Sequence, residues 1–456
     1  MIKIVKDKVI YYVLTLIFIA ILFSIAAYTK RTNFILFITQ YAVLFGIFWM
    51  VLAKNSSIKQ ILIVGLLARV TLLFISPELS NDFYRFIWDG ELLLQGTNPY
   101  QYTPNELISY GAFLSNDYYL SLYHGMGELS QANYSCYPVL NQFFFAIAAL
   151  FSDNLSINLV VLKLIIILGD LGVFFFGIKI LKILGQAQNK IAWYFVNPFI
   201  LLEFSGNLHF EGVMLCFILG FIYYILKNNW IIAGLFLGLA IHIKLIPLLF
   251  IPFVYKKLKW RNSVGFTAVV ILVVLLFAGI LLDAQNIGHF LSSLQLYFKS
   301  FQFNASVFAW VNLAYSEYIG WDTTQIVGPL LSKIAIGGIL LLGLLKADKK
   351  PNDFIIAILF ALTIYYVFAT TVHPWYISLV LTFSMFTNYK FGVLWSALVM
   401  FSYLAYAHAD FSENILLNSL LYLALFIYIG IEIKNNSSKK DIKIQWKDFM
   451  GISTKD

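Results

Sequence analysis

The sequence predicts an all-α, polytopic membrane protein. We expect a bundle of about 12–14 transmembrane helices and a large first external loop that contains short interfacial helices. Hydrophobic residues make up 61% of the 456 positions and charged residues only 12%, against about 25% charged residues in soluble domains. Apolar runs of roughly 18 residues or more recur along the chain, each long enough to cross a hydrocarbon core. Lys and Arg gather in short connectors and in the C-terminal tail, which is the positive-inside bias.

The apolar spans follow one another closely. The first begins near Val9, after Lys3, Lys6 and Lys8, and its length and lack of a cleavage site favour a retained helix over a signal peptide. Spans are predicted at 9–28, 34–53, 60–76, 137–151, 157–183, 190–204, 211–226, 230–243, 246–255, 263–282, 326–345, 353–371, 375–388, 391–408 and 414–433.

Charge gives the predicted topology. A basic N-terminus and a basic tail on the cytoplasmic side require an even number of crossings, and place the loops 77–135 and 283–325 outside. Six apolar segments then lie between an external loop and the basic connector 256–261, where an odd number is needed, so one is re-entrant or short. We expect one integral membrane domain over 1–433 and a cytoplasmic tail over 434–456. The net charge of +8 is spread over connectors, which argues against a nucleic-acid partner.

The first external loop concentrates charge directly after a membrane helix. Asp82, Arg85, Asp89 and Glu91 lie within ten residues, and a helix here would put the first three near one face. A carboxylate beside a cation and aromatic rings at the membrane surface is a candidate general base. The alternative is that Asp82 and Arg85 form a structural ion pair that orients the loop.

Ionisable groups at membrane depth are costly and are therefore candidates for function. They are Asp170, Glu203, His209, Glu211, His242, Lys244 and His373. Lys244 precedes a proline break, and broken helices at membrane depth line polar cavities. A lysine there would bind an anion such as phosphate, or else reach from a helix end to the interface. His373 and Trp375 could equally be an aromatic-belt anchor.

Metal binding has only a weak signal. His209 and Glu211 are two residues apart, a poor spacing on one helix, and no HExxH motif is present. No cofactor is predicted, and a divalent metal ion held by Asp82 and Glu211 is left open.

Four motifs together resemble those of bacterial glycosyltransferases of the GT-C superfamily, which use polyprenyl-phosphate sugars. Ser80–Pro104, SNDFYRFIWDGELLLQGTNPYQYTP, resembles the family's D-x-Y-R-Y-x-W-D-G element followed by G-x-N-P-Y and a proline. Tyr134–Gln142, YSCYPVLNQ, resembles Y-P-P-x-x-Q. Asn197–Glu211, NPFILLEFSGNLHFE, is similar to N-P-L-x-L-x-E-x-x-G-N-x-H-N-D. Ile243–Pro252 and His373–Tyr376 resemble a lysine–proline helix break and a Q/H-P-W-Y turn.

The resemblance implies a GT-C-type helical bundle in the bacterial inner (cytoplasmic) membrane. It implies transfer of a hexose, often mannose, from a polyprenyl-phosphate donor to a lipid or glycan acceptor at the outer face, with inversion. Asp82 matches the family's catalytic aspartate, and Lys244, then Arg85, are candidates for the phosphate. The residues that would shape the sugar pocket are Asp89, Asn98, Tyr100, His209, Glu211, His373 and Trp375. Val139 and Phe210–Glu211 depart from the family pattern, which puts the donor or acceptor in doubt.

Three other interpretations remain open. A transporter or flippase for a lipid-linked saccharide would share the polytopic body, although it would often show inverted repeats. A polymerase or ligase of lipid-linked glycans would be expected to centre on a later external loop, and the loop at 283–325 has sparse charges. A structural scaffold is the third.

Overall fold

The computed structural model describes residues 2–113, 115–299, 301–346, 350–407 and 411–449. In these ranges the chain is α-helical, with short π- and 3-10 segments and no β-strand. The helices of the N-terminal part are α1 Ile2–Tyr28, α2 Phe34–Ile47, α3 Ala53–Asn55, α4 Ile58–Leu72, α5 Asp82–Leu94, α6 Pro104–Ser109, α7 Asp117–Ala132, α8 Val139–Ala149, α9 Leu155–Ile183, α10 Ala192–Phe195 and α11 Pro198–Ile200.

The C-terminal part continues in the same style. Its helices are α12 Glu211–Leu226, α13 Trp230–Ile241, α14 Ile251–Lys257, α15 Trp260–Leu281, α16 Ala284–Lys299, α17 Val307–Ile319, α18 Thr324–Lys346, α19 Pro351–Phe368, α20 Ser378–Met385, α21 Phe391–Leu398 and α22 Ile415–Phe449. The π-segments are Phe48–Leu52 and Leu201–Gly206, and the 3-10 segments are Gln188–Ile191, Ile246–Phe250, Pro374–Ile377 and Val399–Ala407.

Length and composition mark several of these helices as membrane spans. Seven helices of the described residues are long and apolar enough to cross a bilayer, and an eighth span arises if Pro198–Gly206 and Glu211–Leu226 count as one, bent by 115°. The protein is therefore a multi-pass, all-helical membrane protein, as predicted. The count falls below 12–14 because the apolar runs at 139–149, 230–241, 374–385 and 391–407 form shorter helices. The number of crossings and their orientation stay predictions.

The first loop is helical and packs tightly on the bundle. Of its helices, α5 packs against α8 and α7. A Cβ on Gly90 would lie 2.3 Å from the carbonyl oxygen of Phe145, so the backbones of α5 and α8 meet directly at this glycine. The N-terminal end of α5 is fixed separately, because the Asn81 side-chain amide donates to the carbonyls of Gly125 and Met126 at 3.2 Å.

One buried ion pair ties the membrane helices beneath the loop. Arg69 on α4 donates from Nε to Asp170 on α9 at 2.8 Å, and both side chains are fully buried. Asp170 also accepts from the Tyr194 hydroxyl at 2.5 Å, and Arg69 donates to the Phe195 carbonyl at 2.8 Å. Asp170 is thus a helix-bonding residue, and the pair joins α4, α9 and α10.

The C-terminal helix runs on past the predicted end of the membrane domain. It continues from Ile415 to Phe449, so Lys434 does not begin a separate segment. Residues 450–456 of the predicted tail lie outside the described residues, as do 347–349 of the predicted cytoplasmic connector. The division into a domain over 1–433 and a tail stays a prediction.

Candidate functional site

Asp82 is the first residue of α5, at the edge of a deep cavity. Its side chain keeps 34% of its surface exposed, towards that cavity. The preceding Asn81 is held by α7, whose helical path is broken at Gly127 by a left-handed φ of 77°. The Asp82 carboxylate is therefore positioned by α5 and by the contact of Asn81 with α7, and not by a free loop.

A sharp break in the chain brings the second set of polar residues beneath Asp82. The π-segment Leu201–Gly206 ends before α12, and the two are bent by 115°. Leu208 takes a left-handed φ of 67° within the break. Next to it, Nδ1 of His209 lies 2.9 Å from the carbonyl oxygen of Glu203, and Nε2 lies 3.9 Å from Asp82 Oδ2.

Lys244 enters from a second break, between α13 and the 3-10 segment Ile246–Phe250. Asn141 fixes this break by donating to the carbonyl of Ile243 at 2.6 Å. The Lys244 ammonium pairs with Glu211 at the start of α12 and lies 4.0 Å from the centre of the Tyr376 ring. Its side chain remains 35% exposed. It is therefore held in place from one side and open to the cavity on the other.

A stack of rings forms a further wall. The Trp375 ring stacks on the His209 imidazole with centroids 3.6 Å apart, and on the His373 imidazole with centroids 4.5 Å apart. Flat aromatic surfaces of this kind pack well against the apolar faces of a sugar ring or an isoprenoid chain.

These residues share one cavity of about 540 Å³. That volume is within the range of roughly 300–1,000 Å³ typical of ligand pockets. Seven of the residues singled out in the sequence line it: Asp82, Arg85, His209, Glu211, Lys244, His373 and Trp375. Four segments thus meet at one site: the loop at 77–135, the helix break at 207–210, the break at 242–245 and the turn at 373–376.

Three other candidates do not line the cavity. Asp89 is buried and accepts from Arg85 Nε at 2.7 Å and from Ser135 at 2.5 Å. Asn98 donates to the carbonyl of Leu281 at 2.6 Å, and the Tyr100 hydroxyl donates to the carbonyl of Tyr137 at 2.6 Å. Their bonds hold the loop against the bundle, so they shape the site from behind.

Arg85 is committed to the loop itself. Besides Asp89, it donates to the carbonyls of Ser130 and Asn133 at 2.6 and 2.8 Å. The ion pair considered for Asp82 and Arg85 is therefore made by Arg85 and Asp89 instead. This leaves Asp82 without a structural cation partner among the described residues.

The surroundings shift the pKa of two of these groups, Asp82 and His373. Burial raises the pKa of the Asp82 carboxyl above its usual value, and the cations Lys244 and Arg31 only partly oppose that rise. Burial lowers the pKa of His373 to about 3, with Lys244 adding to the effect, so this imidazole is neutral at physiological pH. A carboxyl with a raised pKa is a stronger base than a free aspartate.

Sequence reasoning missed Arg31 and gave no role to Glu203, although both lie at the site. Arg31 follows α1 and lines the cavity, with its guanidinium 4.6 Å from the centre of the Tyr406 ring. The predicted topology could have pointed to Arg31. With a cytoplasmic N-terminus and one crossing, Arg31 would lie outside, where the positive-inside bias makes a cation unusual. Glu203 was noticed as an intramembrane charge but assigned no role, and it is fully buried beside His209.

The sequence left open whether the site binds a divalent metal ion. Within the ranges that the structure describes, no group of three or more His, Cys, Asp and Glu residues could hold a metal ion.

A helical membrane bundle in which a carboxylate of the first loop shares a cavity with cations is consistent with the GT-C-type glycosyltransferases that the motifs resemble. Comparison with known families agrees: the family model described as alpha-(1->6)-mannopyranosyltransferase, N-terminal domain, matches residues 13–258, more than half of the chain. The chain belongs to this mannosyltransferase family. It is 23% identical over 195 residues to alpha-(1->6)-mannopyranosyltransferase A of Corynebacterium glutamicum. That match covers 41% of this chain and 36% of the relative, about a third of the relative's length.

Proposed function

We propose that this protein transfers mannose from a polyprenyl-phosphate donor to an acceptor hydroxyl at the extracytoplasmic face of a bacterial inner membrane. Both termini would be cytoplasmic and the acceptor a lipid or a glycan. The observation that carries the proposal is the shared cavity, in which the partly exposed carboxylate of Asp82 faces the same space as Lys244 and Arg31. Family membership supports the sugar and the reaction class.

The chemistry needs one base and an anion site. The acceptor oxygen attacks the anomeric carbon while Asp82 takes the hydroxyl proton, and the bond between that carbon and the phosphate oxygen breaks. The bonding electron pair leaves with the polyprenyl phosphate, so no general acid is required. Lys244 and Arg31 would stabilise the departing phosphate. Arg85 is a poorer candidate than the sequence indicated, because its Nε and Nη1 donors are already used within the loop.

The stereochemistry of the proposed reaction restricts the anomeric configuration of the donor. Attack from the face opposite the phosphate inverts the anomeric carbon. An inverting enzyme that makes an α-(1→6) linkage therefore requires a β-linked mannosyl phosphate, and its acceptor must offer a primary 6-hydroxyl. Asp82 would lie on the side of the sugar away from Lys244.

The test is transfer by purified protein in detergent or nanodiscs. Given polyprenyl-phosphomannose and a mannoside with a free 6-hydroxyl, wild type should release polyprenyl phosphate and form an α-(1→6) disaccharide. Asp82→Asn should lower kcat by about 10²-fold or more, as expected for loss of a positioned base. Asp117→Asn, an exposed carboxylate of the same loop, is the matched control and should transfer normally. Undiminished turnover by Asp82→Asn would overturn the assignment of the base, and donor binding without turnover by wild type would favour a transporter.

A further inference from the structure

Glu203 is a carboxylate that the reaction as described leaves unused. It is fully buried in the π-segment, at a depth where a charge is expensive. The buried carboxylate of Asp170 is matched by Arg69, but among the described residues no Lys or Arg pairs with Glu203. Its partners are the Tyr403 hydroxyl, which donates at 2.9 Å, and the imidazole of His209. This setting calls for a role other than a structural ion pair.

The geometry fixes the tautomer of His209. Its Nδ1 lies 2.9 Å from the Glu203 carbonyl oxygen and 3.2 Å from the Glu203 carboxylate oxygen Oε2. A carbonyl oxygen only accepts hydrogen bonds, so Nδ1 carries the hydrogen and the neutral ring has its lone pair on Nε2. Nε2 is buried and has no hydrogen-bond partner in the described part of the chain. It lies 3.9 Å from Asp82 Oδ2, a separation that a bound substrate can close.

We propose that Glu203 and His209 form a proton relay that resets Asp82 after each transfer, an inference that rests on the proposed function. The acceptor hydroxyl proton goes to Asp82 as the new glycosidic bond forms. It then passes from the Asp82 carboxyl to the lone pair on His209 Nε2. This regenerates the Asp82 carboxylate and leaves an imidazolium beside the Glu203 carboxylate. Water entering after product departure takes the proton, so charge and atoms balance over the cycle.

The relay has a physical purpose in a closed site. A donor and an acceptor that fill the cavity would exclude water from it, so a proton on Asp82 would have no solvent to reach. A carboxylate that holds an imidazole in one tautomer and stabilises its charged form is a known arrangement for proton acceptance. Here the backbone carbonyl of Glu203 fixes the tautomer, and its carboxylate oxygen Oε2, 3.2 Å from Nδ1, would stabilise the charged ring. Tyr403 holds the other carboxylate oxygen. His209 and Glu203 act through Asp82 and are positioning residues by this account.

The first test uses Glu203→Gln, which keeps the side-chain size and the Tyr403 contact. We expect kcat to fall by about 10²-fold, the lower end of what a positioned proton-transfer group contributes, with the donor KM unchanged. Glu432→Gln is the matched control, a buried glutamate that accepts from the backbone of Lys390 and Phe391 and should leave kcat at the wild-type value. Wild-type kcat in Glu203→Gln would overturn the relay.

The second test asks whether Glu203 acts through His209. His209→Ala should lower kcat by about 10²-fold, and adding Glu203→Gln to it should lower kcat no further. Imidazole added to His209→Ala should restore turnover, whereas His209→Phe keeps a ring for Trp375 to stack on and should not respond. Multiplicative losses, or no response of His209→Ala to imidazole, would overturn the relay. Absence of transfer by wild type would instead overturn the proposed function. If His209→Ala fails to fold, Glu203→Gln decides.

Discussion

Substitution of Lys244 tests the proposal that this residue stabilises the departing phosphate. Its ammonium has three N–H donors, of which one is taken by Glu211, and 35% of the side chain is exposed. Two donors are then available to the departing phosphate. Hydrogen bonds to charged groups contribute about 1.5–3 kcal/mol each. Taking the lower value twice, Lys244→Met should weaken transition-state stabilisation by about 3 kcal/mol, or about 10²-fold in kcat/KM.

The same contact predicts a partial rescue. With Lys244→Met alone, the Glu211 carboxylate is left unpaired in the cavity and repels the phosphate. Adding Glu211→Gln removes that charge, so the double variant should transfer faster than Lys244→Met. The assay is the release of polyprenyl phosphate from the mannosyl donor over a range of donor concentrations.

The control is a lysine at the far end of α12, the helix that begins at Glu211. Lys227 follows α12 and is exposed, so Lys227→Met should leave kcat/KM at the wild-type value. A Lys244→Met variant within about threefold of wild type, a margin of less than 1 kcal/mol, would refute the assignment of Lys244 to the phosphate. An equal loss in Lys227→Met would show that the effect is general rather than local.

Three further outcomes are expected. Because burial raises the pKa of Asp82, the protonated and inactive form persists to higher pH, so transfer should fall on acidification at a higher pH than for an ordinary aspartate, as a pH–rate profile would reveal. Asp170→Asn leaves Arg69 buried without its counter-charge and should lower the free energy of unfolding by about 3–5 kcal/mol in a denaturant titration in detergent; a loss under about 1 kcal/mol would contradict this. Gly90→Ala forces α5 away from α8, so overpacking of about 1–3 kcal/mol and a fall in kcat are expected, and normal stability and kcat would argue against the close contact.

Sequence patterns singled out most of the polar residues of the candidate site because these residues interrupt apolar runs. Asp82 follows a span directly, His209 lies in a polar break, and Lys244 precedes a proline, so each is visible as an exception to its surroundings. The family resemblance then linked the exceptions. The structure adds that all of them line one cavity.

Partnerships across the fold could not be read in the same way. Nothing near Asp170 in the chain points to Arg69, which is about a hundred positions away, and nothing near Glu203 points to Tyr403. The number of membrane crossings also could not be predicted from the hydrophobic pattern. An apolar run has the same composition whether it forms one long helix or two short ones. Even short-range pairing could not be predicted for Arg85. Its sequence spacing allows an ion pair with either Asp82 or Asp89, and in the folded structure it pairs with Asp89.

The contact between Gly90 and Phe145 has a consequence for how this protein can diverge. α5 rests backbone to backbone on α8, and Asn81 is held by backbone carbonyls of α7, so the position of Asp82 depends on main-chain contacts and not on the surface side chains of the loop. The outer segments, α6 and α7, can therefore change their surface residues without displacing Asp82. Under the proposed function, such changes would admit new acceptors at an unchanged base, as long as position 90 remains a glycine.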